Sequence, residues 1–78
     1  MVVGAHPAIT LRVTHDEART ILKDSSQNQN IYILHQKYVY RNGVSAVDIT
    51  IRFQEHIDFT YYTLTYYDSI VKETNETS

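Results

Sequence analysis

Residues 31–67 read IYILHQKYVYRNGVSAVDITIRFQEHIDFTYYTLTYY, and the pair Asn42-Gly43 decides how the stretch folds. An Asn-Gly step between two alternating apolar runs predicts a two-residue hairpin loop. A type I′ turn needs positive φ at both central positions, and these two residues tolerate it best. That loop fixes the pairing: Tyr38 faces Val47, Lys37 faces Asp48, Gln36 faces Ile49, Leu34 faces Ile51 and Tyr32 faces Phe53. Side chains alternate across a strand, so the hairpin has two faces. One collects Tyr32, Leu34, Gln36, Tyr38 and Tyr40 with Val47, Ile49, Ile51 and Phe53. The other collects Ile31, Ile33, His35, Lys37 and Val39 with Ala46, Asp48, Thr50, Arg52 and Gln54. The first is the more apolar and takes the core side. On the second, Lys37 opposite Asp48 is a favourable cross-strand pair.

The alternation continues beyond the hairpin. Glu55-His56-Ile57-Asp58 has ordinary turn composition. After it, the near-palindrome Tyr61-Tyr62-Thr63-Leu64-Thr65-Tyr66-Tyr67 is dense in β-branched and aromatic residues, which suit a pleated, half-buried surface. This segment is predicted as another antiparallel strand, pairing Ile51 with Tyr62, Ile49 with Leu64 and Val47 with Tyr66. Phe59, Tyr61, Thr63, Thr65 and Tyr67 then join the mixed face.

On the N-terminal side, Ile9-Thr10-Leu11-Arg12-Val13 alternates cleanly and reads as the first strand, with Ile9, Leu11 and Val13 facing inward. Val2-Val3 is at most a strand fragment, interrupted by Gly4 and Pro7. Thr14-His15-Asp16-Glu17 is a capping box, and its acids suit the positive end of a helix dipole. It opens a helix from about His15 to Asp24, with the apolar stripe Ala18, Ile21 and Leu22. Ser25 to Asn30 reads as a polar loop. Ile70 and Val71 are the last apolar residues, and Lys72 to Ser78 has nothing to bury and is expected to fray.

The expected fold is α+β: a single domain over residues 1–71 with a polar tail over 72–78. One short helix packs on one face of a mostly antiparallel four-stranded sheet, in the order β-α-β-β-β. The first strand lies beside the second or the fourth.

With 78 residues the chain has room for one modest core. It has no cysteine, so neither a disulfide nor a thiolate metal site supports it, which is compatible with a reducing compartment. The formal net charge of −2 weakens nucleic-acid and anionic-membrane readings. No run approaches the roughly 18 apolar residues of a membrane span, and no stretch has the pattern of a signal peptide. The expected location is the cytoplasm, with no membrane partner.

His6, His15, His35 and His56 lack the i, i+4 spacing of a zinc helix, and no carboxylate cluster surrounds them. No serine sits in a nucleophile-elbow pattern, and the Asn42-Gly43 turn is no phosphate cradle. No catalytic residue, metal or cofactor is assigned, and the chain is expected not to be an enzyme. Asn75-Glu76-Thr77 matches the N-glycosylation triplet by chance in a polar tail.

A single short helix leaves the second sheet face open. An apolar and aromatic patch rimmed by charge marks an interaction site, and tyrosine and arginine dominate interface energies. The candidate partner-binding residues are Ile33, His35, Lys37, Arg52, Phe59, Tyr61 and Tyr67. An unpaired sheet edge is a second surface, by strand addition. The expected partner is a protein or a second copy of the chain. By size and composition the chain suits the small inhibitors of host machinery carried by phages and mobile elements, anti-CRISPR proteins among them. The alternative is a single-stranded nucleic-acid binder that stacks bases on Phe59, Tyr61 and Tyr67 beside Arg52 and Lys37.

Overall fold

The computed structural model describes residues 6–76, so Val2-Val3 and Thr77 of the glycosylation triplet lie outside the described residues. The elements are β1 (His6–Val13), α1 (His15–Gln27), β2 (Ile31–Arg41), β3 (Val44–Phe53), α2 (His56–Thr65), a 3-10 turn (Tyr67–Ser69) and β4 (Ile70–Glu76). The four strands form one sheet in the order β2-β3-β1-β4, and every neighbouring pair is antiparallel. This β-α-β-β-α-β connectivity is that of the ferredoxin-like, split βαβ class. It corrects the expected β-α-β-β-β order: two helices, not one, cover the sheet. β1 lies between β3 and β4, with no parallel neighbour.

Local chemistry explains most of the elements. Asn42 and Gly43 both have positive φ, at 54° and 78°, so the turn has the backbone that the Asn-Gly step demands. Thr14 Oγ1 accepts from the Glu17 N–H at 3.1 Å, and the Thr14 N–H donates to Glu17 Oε1 at 3.0 Å. The capping box is therefore closed in both directions. Helix α1 runs three residues beyond Asp24, taking in Ser25–Gln27, and leaves a loop of Asn28-Gln29-Asn30. The Ser26 hydroxyl donates back to the Lys23 carbonyl at 2.7 Å, which lets this polar residue stay in the last turn.

The hairpin register is the expected one from Arg41 back to His35, which faces Thr50. There a β-bulge at Leu34 adds one residue to β2. Ile33 rather than Leu34 faces Ile51, and Ile31 rather than Tyr32 faces Phe53. Because the side-chain period is two, one extra residue exchanges the faces of everything before it. Ile31 is carried into the core and Tyr32 onto the opposite face beside Arg52. The bulge lets a strand whose apolar residues change parity keep them on one side.

The tyrosine-rich segment is a helix. Its strand pairings with Ile51, Ile49 and Val47 do not occur; those three residues pair with β1 and β2 instead. Phe59, Tyr62 and Tyr66 stand at i, i+3 and i+7 and face the core. Tyr62 is fully buried, its ring 5.3 Å from that of Phe53 at the end of β3, and Phe59 meets Phe53 edge-on at 5.8 Å. Lys72–Glu76, expected to fray, belongs to β4 and pairs with β1. Backbone hydrogen bonds hold that strand where little apolar burial is available.

The core lies between the sheet and the two helices. It contains Ile9, Leu11, Val13, Ala18, Ile21, Ile31, Val47, Ile49, Ile51, Phe53 and Tyr62, with Ile33, Phe59, Tyr66 and Ile70 packed against it. The Tyr62 hydroxyl donates to Asp24 Oδ2 at 3.1 Å and so ties α2 to α1. Burial and the neighbouring Asp24 carboxylate push the Tyr62 phenol well above its usual range, and burial also raises Tyr66. No helix among the described residues is long and apolar enough to cross a membrane.

Candidate functional site

The strands that fill the core on one side present a different surface on the other. In β1 the residues between the core positions are Thr10 and Arg12; in β3 they are Ala46, Asp48, Thr50 and Arg52. Register adds Tyr32, His35, Lys37, Val39 and Arg41 from β2 and Lys72 from β4. Neither described helix covers this face, since both pack on the core side. The Thr10 and Thr50 hydroxyls meet at 2.9 Å across the two central strands, confirming that their neighbours share one side.

The face is cationic. Arg12, Lys37, Arg41, Arg52 and Lys72 lie on it, out of seven Lys and Arg residues in the chain. Asp48 is the one carboxylate among the described side chains of the face; Glu76, at the far end of β4, pairs with His6. Arg12 grips Asp48 in a two-pronged pair, Nε to Oδ1 at 2.8 Å and Nη2 to Oδ2 at 3.0 Å. Planar forks of this kind are the strong, geometrically specific form of the charged hydrogen bond. That hydrogen bond, with the charges of Arg12, Lys37 and Arg41, holds the Asp48 carboxyl below the usual range, and Asp48 raises Arg12 in turn. Asp48 does face Lys37 across the strands, but its ion pair goes to Arg12.

Arg52 is arranged differently. Its guanidinium carbon stands 4.9 Å from the centre of the Tyr32 ring, in a cation–π contact made possible by the bulge. Its Nε is buried and has no acceptor among the described residues. At the hairpin end, Arg12, Lys37, Val39, Arg41, Val44 and Ala46 line a shallow groove of about 500 Å³. On the helix side of the same hairpin, the His15 ring stacks on Tyr38 at 5.8 Å and its Nε2 lies 3.0 Å from Ser45 Oγ, so His15 pins the start of α1 to the hairpin.

The structure separates the residues expected to form one site. His35, Lys37 and Arg52 share the open face. Ile33 is half-buried on the helix side, packed against the core. Phe59 is half-buried on α2 against Phe53, while Tyr61 on α2 and Tyr67 in the 3-10 turn are exposed away from the open face. The open face is therefore not the aromatic patch that a fourth strand over 59–67 would have made. Its unforeseen members are Arg12, Tyr32, Arg41 and Lys72. Arg12 was legible from the alternation of β1, whereas Tyr32 depends on a bulge that leaves no turn residue or glycine in the sequence.

Among the described residues no group of three or more His, Cys, Asp or Glu side chains is placed to hold a metal ion. Comparison with protein-family models, curated proteins and solved structures finds no match to this chain.

Proposed function

We propose that this chain is a non-enzymatic binding protein that docks an acidic patch of a partner protein onto the open face of its sheet. One observation carries the reading: five of the chain's seven Lys and Arg residues stand on that face although the chain as a whole is net negative. Spending most of its cations on one flat surface gives the molecule a polarity that steers an anionic partner to that side. Arg12 and Arg52 are held in place by Asp48 and Tyr32, so little side-chain entropy is lost when they engage. A small chain of this kind acts by occlusion, covering a surface that its partner needs. That is the mode of the phage and mobile-element inhibitors to which its size and composition pointed.

Single-stranded nucleic acid is the second reading, because phosphates seek the same cations. The face offers it little stacking: Tyr32 is the only aromatic side chain among its described members besides His35, and its ring already carries Arg52. RNA-binding sheets present two or three aromatics for bases.

Calorimetric titration of the full chain with a decaglutamate peptide and with a ten-nucleotide oligothymidylate tests both. The peptide is expected to bind at low salt, and Lys37→Glu combined with Arg52→Glu to weaken it by about tenfold or more. Tighter binding of the oligonucleotide would hand the face to nucleic acid. Binding of the peptide that survives the double charge reversal would sink the reading.

A further inference from the structure

The second surface lies on α2. Viewed down its axis, Phe59, Tyr62 and Tyr66 point into the core; of Ile57, Tyr61 and Leu64, at i, i+4 and i+7, the two aliphatic residues point directly away from it, and Tyr61 leans to one side, edge-on to Tyr62 at 5.7 Å and beside Asp24 and Asn28. Their exposures are 77%, 59% and 74%. Thr60 and Thr65 flank the stripe, so the outer face of the helix carries no charge; Asp58 is set to one side and accepts from Asn28 Nδ2 at 3.2 Å. A helix that covers a sheet ordinarily turns a polar face to water, and one that is apolar all round is ordinarily buried. α1 follows the rule: its exposed residues include Asp16, Glu17, Arg19 and Lys23.

We infer that the outer stripe of α2 is a self-association surface, on which two copies of the chain pack α2 against α2 about a two-fold axis near Tyr61. A two-fold interface places the same patch on both partners, so any charge in it meets its own kind. The stripe is neutral. Antiparallel packing sets Ile57 of one copy against Leu64 of the other, and the reverse, with the two Tyr61 rings at the centre. The stripe is close to self-complementary in size, because one aliphatic residue lies four positions before the tyrosine and the other three after it. At about 150 Å² for each large side chain, the low end for an aromatic ring, and reduced by the part already buried, the stripe and its threonine flanks offer about 400 Å² per copy. The total of about 800 Å² lies in the small, transient class of interface, which fits a weak dimer with a Kd of about 100 µM. The open sheet face is on the opposite side of the molecule from both helices, so a dimer would carry two free cationic faces.

Sedimentation equilibrium of the full chain at about 5 µM and about 500 µM tests this. The mass is expected to rise from 9.1 kDa toward twice that value. Leu64→Glu is expected to hold the chain at the monomer mass at both concentrations while leaving its circular dichroism and melting unchanged, since Leu64 is exposed. Lys37→Glu with Arg52→Glu is expected to leave the dimer intact, so a failed sheet-face reading and a failed α2 reading are told apart. A wild-type chain that stays monomeric at 500 µM overturns the proposal and leaves the stripe to a different protein. A Leu64→Glu chain that dimerises like wild type places the contact elsewhere and overturns it equally.

Discussion

Helices α1 and α2 cover the same side of the same sheet and are built on opposite plans. α1 begins with a closed capping box, turns Ala18 and Ile21 inward and keeps its acids and bases outside. α2 begins at Glu55 with no side-chain cap, and it is apolar both toward the core and toward water. The first helix is specified by its own sequence. The second is specified by what it packs on: Phe53 receives Phe59 and Tyr62, and Asp24 receives the Tyr62 hydroxyl. Amphipathicity makes a helix legible, and a helix without it is held, and recognised, only through its contacts.

Truncating each side of α2 in turn shows which of its two apolar faces carries stability. Tyr62→Ala is expected to cost about 3–5 kcal/mol in urea unfolding, from lost burial and the cavity left beside Phe53. Leu64→Ala, measured on dilute monomer, should fall within about 0.5 kcal/mol of wild type. Equal costs would mean that the helix faces are misassigned. A smaller pair of changes addresses the caps. Thr14→Ala is expected to destabilise by about 1 kcal/mol, and Glu55→Ser to stabilise by a few tenths to about 1 kcal/mol, because a short hydroxyl supplies the capping acceptor that α2 lacks.

A further change concerns the tyrosine hydroxyl itself. Tyr62 titrates higher in the folded chain than in the unfolded one. Its contribution is therefore whole below the unfolded phenol's value of about 10 and is lost as pH rises through the folded one. Melting temperature is expected to fall above about pH 10. In Tyr62→Phe the fall should be shallower, at a cost near pH 7 of about 0.5–1.5 kcal/mol for the missing hydrogen bond. An identical alkaline fall in both proteins would place the responsible group elsewhere.

The same contrast explains how far the sequence could be read. The hairpin was legible because Asn42-Gly43 admits one turn, and the register followed from Arg41 to His35. α1 was legible through its capping box. Residues 56–65 were not, because they satisfy two periods at once: Phe59, Tyr61 and Thr63 alternate like a strand, while Phe59, Tyr62 and Tyr66 repeat like a helix. Composition then favoured the strand, since Tyr and Thr are strand formers, and tertiary packing overrode it. The bulge at Leu34 was hidden for a related reason: it answers to the demand that Ile31 and Ile33 reach the core, which is a fact about the whole sheet. The bulge and the second helix together take four of the seven candidate residues, Ile33, Phe59, Tyr61 and Tyr67, off the open face. His35, Lys37 and Arg52 kept their place on the open face, whereas the aromatic residues assigned there proved to belong to α2 and the turn after it.

The open face itself is the counterpart of the core. β1 and β3 supply Ile9, Leu11, Ile49 and Ile51 to one side and Thr10, Arg12, Asp48, Thr50 and Arg52 to the other. The proposal that it docks anionic groups is tested most directly by mapping where such a ligand lands. In a nuclear magnetic resonance titration with decaglutamate, the amides of Thr10, Arg12, Lys37, Thr50 and Arg52 are expected to shift together, while those of Ile57 and Leu64 stay in place. Shifts centred on α1 or α2, or none at any residue of the open face, would contradict the assignment.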